Sequence, residues 1–123
     1  MNKNRGSIRV AFATNDNKNI DAHFGSAKQF NIYTIYKDAY EISNIIRIES
    51  KDTDTTISLL KGVDIVYFVN IGATAAAKII NNGIFPIKYK EVVAIDAEIN
   101  KLQTMLGVNP PPFIKKIISE KAA

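Results

Sequence analysis

The chain has 123 residues, 46% of them hydrophobic and 23% charged, with a formal net charge of +4 and no cysteine. That length fits one domain with a real core, and the missing thiols exclude disulfides, thiolate zinc sites and cysteine-held clusters. No apolar run approaches the ~20 residues of a membrane span and no apolar segment follows MNKNRGS, so a cytoplasmic protein is expected, its mild basic excess favouring an anionic partner but neither nucleic acid nor membrane.

Residues 1–7 read as a flexible terminus. IRVAFAT (8–14) is apolar on nearly every residue after Arg9, the mark of a strand buried on both faces. The Asn-, Asp- and Gly-rich loop NDNKNIDAHFGSAKQ follows and holds the single histidine, His23. FNIYTIY (30–36) and ISNIIRI (42–48) flank the short KDAYE and predict a hairpin. ESKDTDTT leads into a short helix, with Asp54 or Thr55 as N-cap and Gly62 as its stop. DIVYFV (64–69) is a continuous apolar run, expected as a central parallel strand. NIG then turns the chain into the helix ATAAAKIINN, closed by Gly83. IFPIKY reads as an edge strand, because Pro86 lacks a ladder donor. AIDAEINKLQTMLG places Ile95, Ile99, Leu102 and Leu106 on one helical face, which must lie on the sheet. Gly107 ends that helix, and NPPPFIKKI opens a stiff basic tail. The expected organisation is therefore a terminus (1–7), one α/β domain (8–109) and a Pro-rich basic tail (110–123).

Three strands followed by strand–helix alternation predict a single-domain, ribonuclease-H-like α/β fold. Its mixed five-stranded sheet has the order 3-2-1-4-5, with helices on the faces. In that arrangement the loop holding His23 and the NIGATAAA turn rise at the same sheet edge, where open α/β sheets bind ligands. Gly72 permits a tight turn, and the small residues from Ala73 to Ala77 leave helix-start N–H groups bare to attract an anion. His23 supplies an imidazole, a good ligand for iron and other transition metals. Gly25 and Ser26 keep the approach open, and Lys28 adds charge.

Three segments, RVAFATND…IDAHFGSAKQFNIYTI, NIGATAAAKIINNGIFPIKY and INKLQTMLGVNPPPFIKK, together resemble the NifX-type branch of the dinitrogenase iron–molybdenum cofactor-binding family. The resemblance runs from about residue 8 to about residue 117. It implies a ribonuclease-H-like fold and a carrier, not a catalyst. The cargo it implies is the iron–sulfur cluster precursor made by NifB (NifB-co), or the finished iron–molybdenum cofactor, bound transiently. The partners it implies are NifB, a NifEN-type scaffold and apo-dinitrogenase. Carried over by the HFGSA motif, the metal-holding role falls to His23, with Phe24, Gly25 and Ser26 beside it. The small-residue turn Gly72, Ala73, Thr74 and Ala75 is the second matching segment. Ile71 stands where many relatives have a second glycine, which narrows the approach.

Plainer readings compete. A lone histidine is commonly an ordinary surface or half-buried residue, and an alanine run commonly packs a helix on a sheet. A protein-interaction module docking on the assembly scaffold through its basic tail is one alternative. A metal-dependent phosphotransfer enzyme on the same fold is another. That chemistry needs converging carboxylates around two ions, whereas IRVAFAT carries no acid, and Asp16, Asp21 and Asp64 lie on loops or at a strand start.

Overall fold

The computed structural model describes residues 6–49 and 52–122, the side chains of 121 and 122 excepted; most of the expected flexible terminus lies outside these. Among the described residues seven strands form: β1 (Ile8–Thr14), β2 (Asn19–Ile20), β3 (Gln29–Ile35), β4 (Tyr40–Arg47), β5 (Ile65–Phe68), β6 (Phe85–Lys88) and β7 (Val93–Ala94). The same residues form the α-helices α1 (Thr53–Leu59), α2 (Ala73–Asn81), α3 (Ile95–Gly107) and α4 (Pro112–Ala122). Five strands make one mixed sheet in the order β4-β3-β1-β5-β6. β1 runs antiparallel to β3 and parallel to β5, so Phe12 faces Asn31 on one side and Tyr67 on the other. β3 and β4 are joined by a tight turn in which the Tyr36 N–H donates to Ala39 O at 2.8 Å.

Side-chain alternation along the strands divides the core between the two faces. Ala11, Ala13, Phe30, Ile32, Val66 and Phe68 project to one side, where Ile57 of α1 and Ile79 of α2 cover them. Val10, Phe12, Ile35, Ile65 and Tyr67 project to the other, under Ile95, Ile99 and Leu102 of α3 and Ile114 of α4. The apolar period of α3 thus serves the role its spacing implied, with Leu106 only half-buried at the helix end.

Four local features differ from expectation. Asp52, not Asp54 or Thr55, caps α1: its Oδ2 accepts from the Thr55 N–H at 2.9 Å and the Thr55 hydroxyl at 2.7 Å. Ser7 is buried, so ordered chain precedes residue 8. A two-stranded ribbon of β2 and β7 ties the His23 loop to the start of α3, where the Ile95 N–H donates to Lys18 O at 2.9 Å. Strands of two residues are too short to carry a readable period. Finally, the segment expected as a stiff tail forms α4. Pro112 occupies its first turn, where a missing N–H costs nothing, and Phe113, Ile114, Ile117 and Ile118 line one face. Ile114 is fully buried, and the Phe113 ring stacks on Phe85 at 4.6 Å. Ile114→Ala is therefore expected to lower stability by about 2 kcal/mol in urea unfolding, near the low end for such a change because its half-buried neighbours can close in. An unchanged unfolding midpoint would mean α4 is undocked.

Candidate functional site

Because β1 and β5 are parallel, the loop leaving β1 and the turn leaving β5 emerge at one edge of the sheet. Main-chain bonds then hold them side by side. The Val69 N–H donates to Ala22 O and the Phe24 N–H donates to Asn70 O, both at 2.9 Å. Phe24 is buried, and its ring packs on Phe30 and Phe68 at 5.6 and 5.9 Å between centroids. A 3-10 turn over Phe24–Ser26 follows, with the Ser26 N–H donating to His23 O at 3.2 Å. The backbone of His23 is thereby held on both sides. Its imidazole makes no capping bond and stands exposed.

Two hollows share this imidazole. The first, about 380 Å³ and open, is lined by His23, Gly25, Ser26, Asn70, Ile71 and Gly72. Gly72 is the N-cap of α2 and offers no side chain to its first amides, which have no partner within the helix. Its φ of −75° is ordinary for any residue, and a Cβ there would meet nothing within 4 Å. The expected conformational need for glycine is therefore not what places it; the residue leaves the mouth of the groove clear. Ile71 lines the groove while packing partly on the core, so it narrows the hollow without closing it.

The second hollow, about 280 Å³, is lined by His23 together with Val69, Asn70, Lys88, Tyr89 and Lys90. Both lysines are exposed, and neither joins an ion pair among the described residues. Between them Tyr89 points inward: its N–H donates to Phe68 O at 3.0 Å and its hydroxyl donates to the buried Glu98 carboxylate. The other Glu98 oxygen lies 3.2 Å from Lys101 Nζ, an ion pair without the angle of a hydrogen bond. Burial first, and then the bond to Glu98, raises the Tyr89 pKa above the usual phenol range. The tyrosine therefore stays a neutral donor that anchors the lysine segment. Lys88, Lys90 and Asn70 were missed in the sequence. The signal was available, since β6 runs parallel to β5 and its exit must rise at the same edge.

Of the residues singled out, His23, Gly25, Ser26 and Gly72 meet at the first hollow, and Phe24 lies beneath it as an anchor. Ala73 and Thr74 are exposed at the start of α2, and Ala75 packs partly on the core. Lys28 is not brought to this groove; it lines a neighbouring one with Gly25, Ser26, Glu49 and Thr53.

The carboxylates are occupied in holding backbone. Asp64 Oδ2 accepts from the Arg9 N–H at 2.8 Å, at the opposite end of the strands. Asp21 Oδ1 accepts from the Asn15 N–H at 2.8 Å. Asp16 accepts from the N–H groups of Lys18 and Asn19 and from Asn19 Nδ2, each at 2.8 Å. Led by the Lys18 N–H, these donors pull its pKa from 3.8 to about 2. A depressed carboxylate pKa stabilises the fold above the unfolded value and loses that contribution as pH falls through the folded one. Acid titration followed by NMR should thus show the Lys18 and Asn19 amides shifting with a midpoint near 2; a midpoint near 3.8 would refute the ordered turn. Among the described residues no three His, Asp or Glu side chains converge as a metal cage. No helix among them is long and apolar enough to cross a membrane.

Comparison with known proteins adds to this geometry. The family model described as "Dinitrogenase iron-molybdenum cofactor" matches residues 6–105. A protein named NifX from Rhodobacter capsulatus is 35% identical over 124 residues, covering 90% of this chain and 77% of that protein. A second NifX, from Sinorhizobium fredii, is 31% identical, covering 94% of this chain and 80% of its own. In fold, the crystal structure of PH0822 is similar with a TM-score of 0.67 at 24% identity, covering 79% of this chain and 89% of that one.

Proposed function

Because the chain belongs to the dinitrogenase iron–molybdenum cofactor family, we propose that it carries a preassembled, negatively charged metal cluster during the biosynthesis of that cofactor. The cargo is either the iron–sulfur precursor that NifB makes or the finished iron–molybdenum cofactor. Donor and acceptor are then the assembly proteins, NifB and a NifEN-type scaffold, and apo-dinitrogenase. We read the supporting sheet as ribonuclease-H-like.

One observation carries this reading: an exposed imidazole lines both a groove at an uncapped helix start and a hollow that holds two exposed lysines. Each part has a role towards such a cargo. The imidazole is a ligand for iron. The amides at the start of α2 are donors to an anionic surface, including cluster sulfurs. Lys88 and Lys90 offset the negative charge. With one imidazole and no thiolate, the protein cannot assemble a cluster from ions, but it can hold a finished one and release it. Weak, exchangeable binding suits transfer between two tighter sites.

The test is anaerobic titration of the purified chain with the NifB-derived cluster, followed by desalting and measurement of retained iron and the EPR signal. Retention near one cluster per chain supports the reading; no retention ends it. The lysines make a separate prediction. Lys88→Glu with Lys90→Glu should weaken retention about tenfold at low salt, with the difference shrinking as salt screens the charges. Equal retention at all ionic strengths would remove them from the site.

A further inference from the structure

The two edges of the five-stranded sheet are unlike. β6 has four residues, one of them Pro86, and so cannot present a long row of pairing groups. β4 has eight residues, no proline and no lysine, and among the described residues its outer edge pairs with no strand. Three of its large apolar side chains are also exposed: Tyr40 at 50%, Ile42 at 48% and Ile45 at 42%. Long, apolar, unpaired edges are templates for another strand.

Register says which strand. Tyr40 pairs with Ile35, Ile42 with Tyr33, Ile45 with Asn31 and Arg47 with Gln29, so all four side chains lie on one face. They share it because Ser43 is an extra residue opposite the Ile32–Tyr33 step, a bulge that resets the alternation between Ile42 and Ile45. The resulting pattern is symmetric about the bulge. A two-fold axis at Ser43–Asn44, relating two antiparallel copies of β4, sets Ile42 against Ile45 of the second copy. The same axis sets Tyr40 against Arg47, each pairing occurring twice. Apolar residues meet apolar residues, and a cation meets an aromatic ring.

We propose that β4 is the dimerisation edge of this chain and that its occupant is the β4 of a second copy, joining two sheets into one of ten strands. Arg47 lies opposite Gln29 at the rim that bears His23, and Tyr40 lies towards the other rim. The antiparallel pairing therefore points the two candidate cargo sites to opposite rims, and both stay accessible.

Sedimentation equilibrium of the full chain over a wide concentration range tests this, with circular dichroism to check the fold of each variant. The wild type should show a reversible monomer–dimer equilibrium. Tyr40→Arg places arginine against Arg47 twice and should raise the dissociation constant about tenfold or more. Adding Arg47→Glu to that variant restores opposite charges at the same two places and should recover the dimer. A chain that stays monomeric at every concentration overturns the proposal, as does a dimer that Tyr40→Arg leaves intact or that Arg47→Glu fails to recover. Protection of β4 amides from hydrogen exchange only when an assembly protein is added would assign the edge to that partner and would equally overturn it. Cluster retention plays no part in these measurements, so failure here leaves the carrier reading untouched, and the reverse holds as well.

Discussion

His23→Ala is expected to abolish retention of an iron–sulfur cargo while leaving the fold unchanged. The fold survives because the side chain is exposed and makes no capping bond, while the local geometry rests on main-chain bonds from Phe24 to Asn70 and from Val69 to Ala22. The cargo is lost because no other His, Asp or Glu side chain joins His23 in a ligand cluster among the described residues. Removing groups that merely support a metal ligand costs roughly ten- to a hundredfold in affinity, so losing the ligand itself should exceed about a hundredfold. Iron retained after desalting is the readout, with the melting temperature as control. If His23→Ala holds the cluster as the wild type does, the imidazole is no ligand. The uncapped helix start and the lysines would then have to account for binding.

Phe12→Ala should do the reverse, stripping stability from a protein whose site residues are all intact. Phe12 is fully buried at the middle of the central strand, with Tyr67 stacked at 5.0 Å on one side and Tyr33 edge-on at 5.6 Å on the other. These rings sit on paired strands whose backbone cannot collapse into the space left behind. The loss should be about 3–5 kcal/mol, lowering the melting temperature by about 10 °C or more. A change under about 1 kcal/mol in urea unfolding would mean that the core relaxes around the missing ring, against the close packing described.

How much of this was legible depended on the length of each signal. IRVAFAT and DIVYFV announce themselves because strands covered on both faces need apolar residues throughout. The period of Ile95, Ile99 and Leu102 marks the buried face of α3. The candidate site was partly legible for a related reason: residues following two parallel strands must rise at a common edge, which brings His23 to Gly72. The same reasoning, applied to the end of IFPIKY, which the expected order already set beside DIVYFV, leads to Lys88 and Lys90, because β6 runs parallel to β5 and leaves the sheet at that edge. Lys28 was placed by its nearness in sequence to His23, yet the 3-10 turn and Ala27, buried at 6%, direct the chain to another hollow.

By itself, then, the amino-acid sequence determined the α/β class, the strand and helix content of the long segments, the absence of thiolate ligands and the family to which the chain belongs. The first three follow from composition and from periods that each segment carries within itself; the family follows from the likeness of three segments, in order, to its members. Only the tertiary structure decided that the proline-bearing C-terminal segment docks as a helix, that two lysines flank the histidine, and that the bulge at Ser43 lines up Tyr40, Ile42, Ile45 and Arg47 on one face of an open edge. Each of these depends on which distant segment lies opposite, and a contact between partners far apart in the chain leaves no period in either of them.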